Sequence, residues 1–137
     1  QEEVVPVCSP ALIKSLKKKG PLTPATVATL PLLQQSTRPD GWRQWFDAMG
    51  VAAPLALAGP RHELFSMTAA AAANGMGVAL VPRLLIEAEL ARGDLVVACN
   101  RPLMGERAYY FVTPDRGDEK SAVTALTAWL VQAAAAA

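Results

Sequence analysis

The side chains able to do chemistry are few and scattered. A single histidine, His62, stands between Arg61 and Glu63, and the two cysteines, Cys8 and Cys99, are far apart in sequence. A serine hydrolase needs its nucleophile in a G-x-S-x-G turn within reach of a histidine, and that turn is absent. A histidine between two charged neighbours reads as part of a polar turn or helix start rather than as a catalytic base. One histidine with two separated cysteines offers no metal-ligand spacing, so no metal or other cofactor is expected. Gly75-Met76-Gly77 carries two glycines of a dinucleotide loop, but that loop follows a strand and opens a helix. Here a helical pattern ends and an apolar run begins, which makes the glycines a helix stop. No enzyme is expected.

What remains is a binding pattern. Polar groups gather after three apolar runs: Ser9 after the first, Ser36-Thr37-Arg38 after the second, and Arg61-His62 with Phe65-Ser66 after the third. In an open α/β sheet, ligands bind beyond the carboxyl ends of the strands, near helix N-termini. Backbone N–H groups, hydroxyls and an arginine together suit a carboxylate. Ser9, Ser36 and Thr37 have a second use as caps of helices and turns, and the residue types alone leave both uses open.

The elements that must carry these residues alternate between strand and helix. Val4–Cys8 is a β-branched run, and Ser9-Pro10 is an N-cap with proline at the first helical position. A short helix over 11–16 ends in Lys17-Lys18-Lys19-Gly20, where cations and a glycine suit a C-terminus. Thr23-Pro24 can cap a further turn, and Leu30–Gln35 reads as the second strand. Trp42, Trp45, Phe46 and Met49 fall at i, i+3, i+4 and i+7, one apolar helical face after the turn Pro39-Asp40-Gly41. Leu55–Ala58 reads as a third strand. The stretch His62–Pro82 then gives an alanine-rich helix, a stop at Asn74-Gly75 and a strand at Val78–Val81. Leu84–Leu90 is amphipathic, with Glu87 and Glu89 toward solvent and a stop at Gly93. Leu95–Cys99 and Tyr109–Val112 read as the fifth and sixth strands, joined by the turn-rich stretch Asn100–Glu106. A polar loop over Asp115–Lys120 leads to a last helix over Ser121–Ala133, with Ala122, Leu126, Trp129 and Leu130 on one face. Such alternation predicts an α/β fold, a mainly parallel sheet with helices on both faces.

The chain has 137 residues, 52% hydrophobic and 18% charged, enough to bury a core and too apolar to be disordered. Its net charge of +1, and a lysine run without interleaved aromatics, make this stretch on its own a poor candidate for tight nucleic-acid binding. Two cysteines in apolar strand-like runs are expected as buried thiols. No apolar run approaches the roughly 20 residues of a membrane span. Gln1-Glu2-Glu3 is acidic where a basic leader would stand, and a strand follows at once, as in a segment cut from a longer protein.

Four stretches carry a family resemblance: VPVCSPAL at residues 5–12, LLQQST followed by W-R-Q-W-F, AAANGMGVALVP, and LARGDLV. Together, in this order, they resemble the effector-binding domain of LysR-type transcriptional regulators. The Trp42-x-x-Trp45 pair after Ser-Thr is most similar to the glycine-cleavage-activator branch. The resemblance implies a type 2 periplasmic-binding-protein-like fold of two lobes with a small effector in the cleft. Residues 4–100 would form the second lobe, 101–108 a connector or hinge, and 109–133 the returning strand and last helix of the first lobe. It implies a cytoplasmic regulator that meets DNA only through an N-terminal winged helix-turn-helix, absent here, with no membrane contact. Effector closure of the lobes would shift how its subunits sit on DNA.

Carried over by position, the effector-facing candidates are Ser36, Thr37, Arg38, Arg61, His62, Phe65 and Ser66. The first-lobe residues completing such a site lie outside this sequence, so effector binding is expected to be weak or missing here. The strand at Tyr109–Val112 and the helix bearing Trp129 would lack their own lobe, which predicts a homodimer or exchange of this segment between copies. The rival of another class is a transport-type solute-binding protein of the same lobe architecture; a signal peptide upstream would favour it, and a helix-turn-helix the regulator.

Overall fold

In the computed structural model, which describes residues 1–17, 20–113 and 121–136, the first β-branched run becomes the hub of a six-stranded sheet. β1 (Glu3–Cys8) pairs antiparallel with β4 (Val78–Pro82), Val5 facing Val81 and Val7 facing Ala79. Its other edge takes β5 (Val96–Val97) and β6 (Leu103–Met104), both antiparallel. Beyond β4 lie β2 (Leu32–Gln35) and the two-residue β3 (Arg61–His62), joined by parallel pairs. The order is β3-β2-β4-β1-β5, with β6 beside β5 on β1.

The sheet is therefore mixed, which corrects the expectation of a mainly parallel one. The reason lies between β1 and β2. The connection there is split between two short helices, α1 (Pro10–Ser15) and α2 (Pro24–Val27). They turn the chain back on the side where β1 ends, so β2 runs opposite to β1. The longer α3 (Gly41–Ala48) and α4 (Phe65–Ala73) make the crossovers that leave β2, β3 and β4 parallel.

Side-chain alternation along the strands divides the core between the two faces. Cys8, Leu32 and Val78 point to one face and pack with Val27 of α2 and with Trp42, Trp45 and Phe46 of α3. Val5, Val7, Leu33, Ala79 and Val81 point to the other, against Ala69, Ala71 and Ala72 of α4 and Ile86. Alanines leave α4 without bulk on that face, so it lies close to the sheet. On α3, Trp42 donates through Nε1 to Leu33 O at 2.9 Å and Trp45 to Arg101 O at 2.8 Å. Their rings and Phe46 have centroids 5.0–5.7 Å apart, so neither indole N–H is buried without a partner.

The expected caps are present. Ser9 Oγ accepts from Leu12 N at 3.2 Å, and Thr23 Oγ1 from Thr26 N at 3.2 Å. Gly77 has φ +154°, and a Cβ there would stand 2.3 Å from Pro31 O, the carbonyl that accepts from Val78 N at 2.8 Å. Only glycine lets β4 begin so close to the entrance of β2.

Other expectations are corrected. Leu55–Ala58 lies in a turn rather than a strand, because its carbonyls are held by a side chain: Gln34 Nε2 donates to Ala56 O at 3.1 Å and Ala58 O at 2.8 Å. The strand lies at Arg61–His62 instead, which replaces the polar turn or helix start read there. β5 keeps only the centre of Leu95–Cys99, and the connector Asn100–Glu106 contains β6. Leu84–Leu90 divides between a 3-10 turn, Arg83–Ile86, and α5 (Glu87–Arg92), which Gly93 ends at φ +78°; Glu89 is half-buried.

These elements belong to a compact unit, Gln1–Arg107; Ala108–Ala137 is a second. In the second, Tyr109–Val112 has no regular secondary structure, since a strand needs a neighbouring strand to persist. α6 (Ser121–Ala136) leaves Leu126, Trp129 and Val131 exposed. The end of the lysine run, Lys18-Lys19, and the polar loop Asp115–Lys120 lie outside the described residues.

Candidate functional site

Two consecutive glutamines end β2, and they have opposite fates. Gln34 and Gln35 are both buried, at 2% and 6% exposure. The Gln34 amide is bound to the loop carbonyls described above. Gln35 Oε1 has no hydrogen-bond partner. Register explains the difference: Gln34 faces Arg61 and Gln35 faces His62 across the parallel β2–β3 pair, so the two amides point to opposite faces.

The turn after β2 brings Arg38 back over this strand end. Arg38 N donates to Gln35 O at 3.1 Å. Its two terminal nitrogens form a fork on the carboxylate of Glu2, with Nη2 at 2.7 Å from Oε1 and Nη1 in contact with Oε2. Both side chains are largely buried, 19% and 5% exposed. The guanidinium carbon lies 4.9 Å from the centre of the Phe65 ring, a cation–π contact supporting its flat face. The remaining nitrogen, Nε, is buried without a partner, and so is Nδ1 of His62. Ser36 N donates to His62 O at 2.9 Å, which ties the end of β2 to the end of β3.

Beside this cluster lies a cavity of about 450 Å³. Its polar wall includes Glu2, Gln35, Arg38, Gln44 and Arg107, and Trp42 and the N-terminus of α3 also line it. Asp40, at the N-cap of α3, makes no cap hydrogen bond and pairs instead with exposed Arg43.

Of the seven candidates read from sequence, the structure gathers Arg38, His62 and Phe65, together with the backbone of Ser36. Only Arg38 lines the cavity. The side chains of Ser36, Thr37 and Ser66 are exposed and cap nothing, and Arg61 is exposed on the face opposite His62. Ser9 is used as a cap. Glu2, Gln35 and Gln44 were absent from that reading. The glutamines had a signal: a strand buried on both faces reads as an unbroken apolar run, and Leu32-Leu33-Gln34-Gln35 breaks that rule twice. Glu2 had none, since its partner is 36 residues away.

Elsewhere, Cys8 and Cys99 are buried thiols; burial pushes Cys8 up to about 11 and raises Cys99 as well. Among the described residues no group of three or more potential metal ligands occurs, and no helix is long and apolar enough to cross a membrane.

Comparison with known proteins agrees with this architecture. Residues 1–135 match the LysR substrate binding domain. The chain is 34% identical over 136 residues to the HTH-type transcriptional regulator PerR of Escherichia coli K12, aligned over 95% of this chain and 42% of that protein. It is 33% identical over 136 residues to the glycine cleavage system transcriptional activator of the same strain, over 98% of this chain and 43% of that protein. The chain thus spans less than half the length of these relatives. Among solved structures, it is similar to the effector domain of the transcriptional regulator AmpR of Pseudomonas aeruginosa, with a TM-score of 0.73 at 23% identity, over 99% of this chain and 63% of that one. The AmpR effector binding domain of Citrobacter freundii matches with a TM-score of 0.61 at 27% identity, over 74% of this chain and 48% of that one. The chain belongs to the LysR substrate binding domain family, a non-enzymatic family of transcriptional-regulator domains.

Proposed function

We propose that this chain is the effector-sensing part of a bacterial LysR-type regulator and takes a small carboxylate-type molecule where β2 and β3 end. The observation that carries this reading is the set of buried polar atoms without partners at that point: Gln35 Oε1, Arg38 Nε and His62 Nδ1. A buried polar group without a hydrogen bond is costly. Three such groups on two adjacent strand ends, beside a cavity of about 450 Å³, suit a ligand that supplies the missing partners. Arg38 Nε–H donates to its carboxylate.

In this reading residues 4–100 are the effector-binding lobe, 101–108 the hinge, and 109–133 the part of the other lobe to which the chain returns. Regulation then follows from closure of the lobes, with DNA held by an N-terminal helix-turn-helix outside this sequence, in a cytoplasmic regulator. A homodimer, or exchange of the C-terminal segment between copies, covers the apolar surface of Phe111, Val112, Leu126 and Trp129, which is exposed in one chain. Sedimentation of the chain would show a dimer; a monomer at high concentration refutes that part.

The test of the site is an NMR titration of the ¹⁵N-labelled chain with succinate and acetate. Saturable shifts are expected at Gln35, Arg38 and His62, and Arg38→Lys, which keeps the charge and loses the fork, should abolish them. Shifts confined to residues away from β2 and β3 would refute the placement.

A further inference from the structure

We propose that the effector is a small zwitterion, an aliphatic α-amino acid, bound with its carboxylate on the Nε edge of Arg38 and its ammonium on Glu2. This inference rests on the effector-binding reading and names the chemical class that reading leaves open.

The first argument is charge balance. Glu2 and Arg38 form a neutral pair, 5% and 19% exposed, and both line the cavity. The other charged groups on its wall neutralise one another or face water: Asp40 is held by Arg43, and Glu106 and Arg107 are exposed and opposite in sign. A monoanion drawn to Arg38 leaves this buried cluster with an uncompensated negative charge, and a monocation drawn to Glu2 leaves a positive one. Uncompensated buried charge is strongly disfavoured. A zwitterion places one charge against each partner and keeps the cluster neutral.

The second argument is which edge of the guanidinium remains. Glu2 occupies the fork between the two terminal nitrogens. Phe65 covers a face of the group. Nε, on the other edge, is the donor without a partner. A ligand carboxylate meeting that edge therefore adds to the Glu2 pair, and the ligand's ammonium reaches back to Glu2. Gln35, whose Oε1 lacks a partner and whose backbone carbonyl holds Arg38 N, supplies a further acceptor for the ammonium.

The third argument is the rest of the wall. Val4, Leu33, Leu80, Leu103 and Met104 also line the cavity, an apolar surface that fits an aliphatic tail.

The test compares three probes of one carbon skeleton, L-norvaline, pentanoate and pentylamine, titrated into the ¹⁵N-labelled chain while the Arg38 Nε–Hε signal is followed. Norvaline is expected to shift that signal saturably and to bind at least about tenfold tighter than either singly charged probe, which is about 1.4 kcal/mol. Glu2→Gln should erase the preference for norvaline over pentanoate. Equal binding of norvaline and pentanoate by the native chain overturns the zwitterion while leaving a carboxylate site at Arg38 intact. Norvaline preference that survives in a folded Glu2→Gln chain also overturns it, since the ammonium then has another partner. If no probe moves the signal at its solubility limit, the effector-site reading falls as well. Should Glu2→Gln fail to fold, the norvaline-to-pentanoate ratio in the native chain decides alone.

Discussion

Replacing Gln34 and Gln35 in turn by leucine should have opposite consequences for stability, although the two are neighbours of the same type in one buried strand. Gln34 Nε2 donates to Ala58 O at 2.8 Å, Ala56 O at 3.1 Å and, more weakly, Leu32 O at 3.3 Å. Leucine removes both N–H donors. A carbonyl left buried and unpaired costs about 1–3 kcal/mol. Ala58 is exposed and its carbonyl can be rehydrated, whereas Ala56 is 6% exposed, so most of the loss falls there. After a partial offset from the apolar side chain, Gln34→Leu should cost about 2 kcal/mol. Gln35 Oε1 satisfies nothing in the folded chain. Gln35→Leu removes an unpaired buried oxygen and should be neutral or stabilising by about 1 kcal/mol. The measurement is urea unfolding followed by near-UV circular dichroism, which reports the packed Trp42–Trp45 pair. The midpoints should separate with the m-value unchanged. Equal destabilisation by both substitutions would refute the assignment of Gln35 as an unsatisfied group. The stabilised Gln35→Leu chain should at the same time lose its response to ligand, as expected where a binding group is kept at the expense of stability.

Gly77→Ala should destabilise by about 2–3 kcal/mol, because its Cβ would stand 2.3 Å from Pro31 O in a backbone conformation that suits only glycine; an unchanged urea midpoint would contradict that close approach. Trp45→Phe should cost about 2 kcal/mol by leaving Arg101 O without its donor and a void in the aromatic cluster, again read from the urea midpoint. Cys8 gives a pH dependence of definite sign. Its thiol is raised from 9.0 to about 11 in the folded chain, so the unfolded chain loses that proton first. Its contribution to stability is complete below pH 9 and is lost between pH 9 and 11, with a slope of up to about 1.4 kcal/mol per pH unit. Urea midpoints across that range should fall less steeply in Cys8→Ala, and thiol alkylation at pH 8 should proceed only as fast as the chain opens.

Local chemistry was legible in the sequence because it depends on near neighbours. Ser9-Pro10 and Thr23-Pro24 start helices where read, the Trp42, Trp45, Phe46 face is buried, and the alanines of 69–73 lie against the sheet. Strand direction was not legible, since alternation alone does not say whether a connection crosses the sheet or turns back. Leu55–Ala58 has the composition of a strand, but its carbonyls bind the side chain of Gln34, about 20 residues earlier in the chain. At the site, Arg38, His62 and Phe65 were legible as polar or aromatic residues after strands. The partner that fixes Arg38 was not, because Glu2 reaches it only once β1 and the end of β2 share a sheet.

The pairing of β1 with β6 does more than extend the sheet. Glu2 N donates to Arg107 O at 2.8 Å, and Gly105 N to Glu2 O at 2.9 Å, so the two ends of the 107-residue unit leave it side by side. Such a unit is topologically a cassette: it can be spliced into a loop of another protein without separating the flanking chain by more than a strand spacing. Its ends can equally be joined by a short linker and new ones opened at an exposed turn such as Gly50, giving a circular permutant with the same sheet. Because the ends are clamped to each other rather than to opposite poles, tension applied across them peels β1 from β6 one hydrogen bond at a time. The parallel pairs that hold Gln35 and His62 lie on other strands and bear no load until that clasp has opened.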